Sequence, residues 1–166
     1  IYWSMSVERI VALGRFAYGA PAQLEGEDRA AVERAIAAVD VAPLRDRPAT
    51  ALSGGEAART HLARALAAET PALLADEPTA ARAPQHQLAI MRVLAARAAA
   101  GGLVVAAPHD LALAARFCTR IVLLDDGAVI DDGAPAAVLT QAHLSRCFGA
   151  AARVETHNGR LEIGFG

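Results

Sequence analysis

Apolar residues in the first forty positions recur every three or four residues, the period of helices that bury one stripe. Val7 to Leu13 is the first such segment, with Ser6 as N-cap and Gly14 as its stop. After a turn at Gly19-Ala20-Pro21, Glu25, Glu27 and Asp28 load negative charge onto the start of a second helix running to about Asp40. Val32, Ile36 and Val39 share its buried face. Pro43 and Pro48 break the chain, and the helical period returns from Glu56 to Ala68 with Leu62 and Leu66 on one side. Gln85 to Ala100 aligns Leu88, Met91, Leu94 and Ala98 and ends at Gly101-Gly102.

Between these segments the pattern changes to short continuous apolar runs. Leu73-Leu74-Ala75 ends in Asp76-Glu77-Pro78, and Leu103 to Ala107 ends in Pro108-His109-Asp110; both read as buried strands of a parallel sheet. Asp110 is placed to cap a following helix. Further on, Asp125-Asp126-Gly127 between Ile121–Leu124 and Ala128–Ile130 predicts a hairpin, as does Asn158-Gly159 between Val154–Thr156 and Leu161–Ile163. Asp131-Asp132-Gly133 predicts another turn, Pro135 opens a short helix, and His157 falls exposed in the last turn. Turn formation, not metal binding, accounts for these aspartates.

Composition narrows the class. A chain of 166 residues with 54% hydrophobic content and a net charge of −2 suits one globular domain. No apolar run is long enough to span a bilayer, and no signal peptide is visible. Arginine supplies all 16 basic side chains, spread along the chain, so no electrostatic footprint for nucleic acid exists. Cys118 and Cys147 have no metal-ligand spacing and are too few for a disulfide framework, which fits a reducing compartment.

Three stretches carry candidate chemistry. Ser53-Gly54-Gly55-Glu56 fits a capping box, in which Ser53 accepts from the amide three residues on and Glu56 reaches back. The same geometry bares two glycine amides at the positive end of a helix, where an anion such as a terminal phosphate docks; both readings can hold together. Asp76 and Glu77 lie at the carboxyl end of a strand, where α/β sheets keep their ligands, and can hold Mg²⁺ or orient a water, or can be a solvated acidic turn. His109 ends the next strand on the same edge, where an imidazole can reach a γ-phosphate. Arg59 is a solvated or ion-paired residue with a phosphate role left open.

In this order Leu52-Ser53-Gly54-Gly55-Glu56, Leu73-Leu74-Ala75-Asp76-Glu77-Pro78-Thr79 and His109-Asp110 resemble the ATPase subunits of ATP-binding cassette (ABC) transporters, across nearly the whole chain. Within that family, SVERIVALGR and HDLALAARFCTRIVLLDDG resemble the importers of iron–siderophore, haem or cobalamin type. The resemblance implies that Ser53, Gly54, Gly55 and Glu56 contact ATP bound by the opposite subunit of a dimer. It likewise implies that Asp76 belongs to the Mg²⁺ site, Glu77 is the catalytic base and His109 senses the γ-phosphate. It implies permease partners and a position at the cytoplasmic face of the membrane, with Tyr2, Trp3, Phe16 and Tyr18 either packing a helical lobe or docking the permease.

The implied fold is α/β: a partial P-loop NTPase (RecA-like) core with a mostly parallel sheet, an α-helical subdomain over about residues 1–52, and C-terminal β-hairpins within about 53–166. With no lysine present, the 166 residues hold no G-x-x-x-x-G-K-[ST] loop, so the front of the nucleotide site is expected to be missing and the chain alone neither to bind nor to hydrolyse ATP well. Strands without neighbours should also leave it marginally stable or sticky. Ala83 departs from the family pattern, which has aspartate there, and offers no side-chain acceptor; weaker coupling between paired sites is the expectation. Two other classes remain: a non-catalytic module that contacts a permease or an intact ATPase, and an ABC-like head of a chromosome-maintenance protein. The second would carry long coiled-coil heptads, and none occur.

Overall fold

The structure is a computed structural model that describes residues 5–19, 24–79, 83–158 and 160–166. Tyr2 and Trp3, most of the turn at Gly19-Ala20-Pro21, the Ala80-Ala81-Arg82 stretch and Gly159 lie outside those residues. The chain forms two compact units, Ile1–Ala107 and Pro108–Gly166.

In the first unit, α1 (Val7–Ala12) starts at Ser6, whose Oγ accepts from the Arg9 amide at 3.3 Å. Gly14 does not stop the chain, as its residue type suggests. The backbone tightens into a 3₁₀ helix from Leu13 to Tyr18, and Gly14 is required for a different reason: a Cβ there would sit 2.1 Å from the Arg64 carbonyl oxygen of a neighbouring helix. That neighbour is α3 (Gly54–Ala67), and both it and α1 pack on α2 (Gly26–Ala38). Val7, Val11, Val32, Ile36, Ala63 and Ala67 form the sealed centre. Small residues on α3 permit the close helix approach, and apolar burial supplies the driving force.

A buried arginine closes this bundle. Arg15 Nε donates to Asp28 Oδ1 at 2.7 Å and Nη1 donates to the Ala67 carbonyl at 3.0 Å. Its guanidinium lies 4.0 Å over the Tyr18 ring, whose hydroxyl donates to the Ala68 carbonyl. Tyr18, 55% exposed, thus lies on the lobe's surface held by these two contacts, and Phe16 is 67% exposed.

The remainder of the unit is a βαβ-like run: β1 (Ala72–Asp76), α4 (Pro84–Ala99) and β2 (Leu103–Ala107). The two strands pair in parallel, from Ala72 opposite Leu103 to Asp76 opposite Ala107. Buried strands were expected here, yet Leu74, Leu103 and Val105 are 77%, 61% and 51% exposed. Two strands cannot cover both faces of a parallel sheet, so one apolar face stays open. α4 buries Ile90, Met91 and Leu94; Ala98, expected on that stripe, is exposed.

The second unit begins with α5 (Leu111–Phe117), capped by Asp110 Oδ1, which accepts from the Leu113 amide at 3.0 Å. β3 (Ile121–Asp125) and β4 (Ala128–Gly133) form the first hairpin around Asp126 and Gly127, both at positive φ as a tight two-residue turn demands. Asp131-Asp132-Gly133 is not the turn its composition suggests but the end of β4, where the Asp132 carboxylate receives two hydrogen bonds from Arg120. α6 (Pro135–Val138) follows, then α7 (Gln141–Phe148), which the hydrophobic period did not reveal and which Thr140 caps. β5 (Ala152–His157) and β6 (Arg160–Phe165) form the last hairpin; His157 is its final strand residue, opposite Arg160, not part of the turn. Leu139, Leu144 and Ala152 are its buried centre.

Two substitutions test this packing. Gly14→Ala should destabilise the protein by about 1–3 kcal/mol through overpacking against Arg64. Ala83 caps α4 without any side-chain bond, so Ala83→Asp should stabilise by about 0.5–2 kcal/mol. Denaturant midpoints measure both.

Candidate functional site

The amino end of α3 is built by its own sequence. Ser53 takes an extended conformation, its Oγ accepts from the Glu56 amide at 3.3 Å, and Glu56 Oε2 accepts from the Ser53 amide at 2.7 Å. The Ala57 amide already donates to the Ser53 carbonyl at 2.9 Å. What remains is the pair between: the Gly54 and Gly55 amides make no hydrogen bond among the described residues. Nothing lies within 4 Å of the place a Gly54 Cβ would occupy, so that approach is open. The capping box thus leaves a candidate anion cradle at the same helix start.

Glu56 brings a negative charge to this cradle, and its neighbours offset it. Arg47 Nη1 lies 3.3 Å from Glu56 Oε1, and Arg47 Nη2 donates to the Ala51 carbonyl at 2.6 Å. The Ser53 amide, then its hydroxyl, then Arg47 and Arg59 hold the Glu56 carboxyl below its ordinary range.

One wall of the cradle was not anticipated from sequence. His86, in the first turn of α4, brings its ring to 3.6 Å from the position a Gly55 Cβ would take. Its Nδ1 lies 3.3 Å from Arg59 Nη1. The signal available in sequence was Pro84, which marks N1 of the helix and puts His86 at N3, facing back past the helix start.

Asp76 ends β1 and Glu77 follows it, both exposed. Glu77 has φ +43°, a conformation costing a non-glycine residue about 1–3 kcal/mol, and its amide donates to the Ala107 carbonyl at 3.1 Å. That bond extends the parallel ladder one residue beyond the Asp76–Ala107 pair and turns the chain sharply at the carboxyl edge. Thr79, two residues on, is 3% exposed, and its carbonyl accepts from Gln87 Nε2 at 3.2 Å.

The first unit thus holds the glycine pair and the two acids, and α4 contacts both the α3 start and the loop after β1. His109 is exposed and is the second residue of the second unit, two residues along the chain from Ala107. Among the described residues no three His, Cys, Asp or Glu side chains cluster as a metal cage. Asp76 fits a hard cation as one oxygen ligand, with the others drawn from phosphate and water. An open groove of about 690 Å³ lies elsewhere, against Leu66, Glu69 and Arg97, near the carboxyl ends of α3 and α4, and contains none of the residues singled out.

The Glu56 environment predicts a pH dependence. A carboxyl whose folded pKa is depressed stabilises fully above its unfolded value, near 4.3, and loses that contribution as pH falls through the folded value. Glu56→Gln keeps the box hydrogen bonds without the charge. Denaturant midpoints across an acid pH series should show the variant losing less stability on acidification than the parent.

Comparison with known proteins gives the family. The sequence family described as ABC transporter matches residues 4–80. The hemin import ATP-binding protein of Rhodococcus jostii is 42% identical over 155 residues, 93% of this chain and 53% of that protein. The cobalamin import ATP-binding protein of Halobacterium salinarum is 41% identical over 157 residues, 94% and 39%. The chain spans about half the length of the curated relatives it matches. Among solved structures, a metal-chelate type ABC transporter in an inward-facing conformation superposes with a TM-score of 0.84 at 24% identity, covering all of this chain and 67% of that one, a likeness of fold. The cbiO1 protein of Clostridium perfringens, part of an ABC transporter complex, gives 0.70 at 29% identity over 87% and 57%. No described helix is long and apolar enough to cross a membrane. With 41–42% identity to these two ATP-binding proteins over nearly its whole length and a P-loop NTPase fold, the chain belongs to the ABC transporter family.

Proposed function

We propose that these residues form the rear wall of the ATP site in a subunit that couples ATP hydrolysis to import of haem, cobalamin or a related metal chelate. The observation that carries this reading is the pair of Gly54 and Gly55 amides, without partners among the described residues, at the positive end of a 14-residue helix. Two aligned N–H groups and the helix dipole favour a terminal phosphate, and Arg47 and Arg59 limit the repulsion from Glu56. Ser53, Gly54, Gly55 and Glu56 then contact the nucleotide held by the opposite subunit of a dimer.

On this reading Asp76 holds Mg²⁺, which neutralises phosphate charge when bound. Glu77 takes the proton of the attacking water, and its left-handed backbone turns it away from the strand that carries Asp76. His109 senses the γ-phosphate. The relatives' printed names support the cargo class; permease subunits as partners and the inner face of the membrane as the working place are part of the same proposal. Because the 166 residues contain no lysine, the phosphate-gripping loop is not among them.

The test measures ATP turnover in the intact ATP-binding subunit that carries these residues. Glu77→Gln should lower turnover by about 10²–10⁴-fold while ATP binding persists, and the 166 residues alone should show no micromolar ATP binding. Parental turnover in the Glu77→Gln subunit would overturn the assignment.

A further inference from the structure

The first turn of α4 makes contacts that the roles above do not use. His86 touches the start of α3 and Gln87, its neighbour, holds the loop after β1. Arg59 and His86 are joined at 3.3 Å through Nη1 and Nδ1. A guanidinium can only donate, so this bond requires a lone pair on Nδ1, and the neutral ring must carry its proton on Nε2. The ring edge formed by Cδ2 and Nε2 lies 3.6–3.7 Å from the place a Gly55 Cβ would occupy. Arg59 Nε is buried with no partner among the described residues, so the bond to His86 helps hold this guanidinium in place.

α4 has reason to be held this way. Its N-cap is Ala83, which contributes no side-chain bond, so tertiary contacts from its first turn do the anchoring instead. Gln87 Nε2 fixes the Thr79 carbonyl, three residues after Asp76, and His86 fixes Gly55 and Arg59. Consecutive residues thus tie the acid-bearing loop to the glycine amides.

We propose that His86 is a positioning residue: its Nδ1, accepting from Arg59, sets the glycine pair of α3 against α4 and, through Gln87, against the loop bearing Asp76 and Glu77. This rests on the ATPase reading above. A positioning role predicts that turnover depends on the Nδ1 acceptor, while affinity for ATP, set largely by the phosphate loop, does not.

Two variants separate acceptor from bulk in the intact subunit. His86→Leu keeps apolar volume beside Gly55 and removes the acceptor; His86→Asn keeps an acceptor oxygen close to the Nδ1 position. His86→Leu should lower kcat about tenfold with the KM for ATP within about twofold, the loss expected from a sub-ångström misplacement, and His86→Asn should recover most of it. Nitrogen-15 NMR of the ring should show Nδ1 bare and Nε2 protonated, with tautomers mixed in Arg59→Met. Unchanged kcat in His86→Leu, equal loss in both variants, or a proton on Nδ1 in the parent would each overturn the proposal. Glu77→Gln in parallel keeps the two readings apart: if it abolishes turnover and His86→Leu does not, only the positioning role falls. If Glu77→Gln leaves turnover intact, the base assignment falls and the NMR result decides the Arg59–His86 bond alone.

Discussion

A helix cannot satisfy its own first amides, and at the start of α3 two of them, on Gly54 and Gly55, have no hydrogen bond among the described residues. The Ser53–Glu56 box settles the amides on either side and so defines which two remain. Because both residues between are glycines, no side chain shields them, and Gly55 also leaves room for His86. A Cβ at Gly55 would meet that ring at 3.6 Å, an ordinary contact, so the two helices lie close here without clash.

The helix start is useful only if its place is fixed, and the fixing comes from the opposite end as well. Gly14 lets the 3₁₀ segment lie against the Arg64 carbonyl, and Arg15 reaches the Ala67 carbonyl at the last residue of α3. The helix is thus clamped at its carboxyl end by a buried arginine and at its amino end by α4. The parallel pair β1–β2 supplies the other reference point, since Asp76 lies opposite Ala107 and Glu77 bonds to its carbonyl. The open face at Leu74, Leu103 and Val105 marks a sheet whose apolar surface exceeds what two strands and α4 can cover.

Local devices were legible because they are written within four residues. The caps at Ser6, Ser53 and Asp110, the Asp126-Gly127 turn and the parallel strand runs all appear where spacing and residue type place them. Readings failed where one residue type serves two purposes. Gly14 is a helix terminator in isolation and a contact point in the fold; Asp131-Asp132-Gly133 has turn composition, but Arg120 and the strand partner Ile121–Leu123 draw it into β4. α7 escaped notice because its eight residues have a single buried position, Leu144.

By itself the sequence determined the hydrogen-bond chemistry of each helix start, the strand end that carries Asp76 with Glu77 next to it, and the absence of lysine from these residues. Those properties depend on near neighbours along the chain. Only the tertiary structure decided that His86 meets Gly55 and Arg59, 27 residues away from the latter, and that Arg15 meets Ala67 across 52. Contacts at such separations depend on how helices cross, and the crossing is set by the summed packing of Val7, Val32, Ile36 and Ala63, which no local pattern encodes.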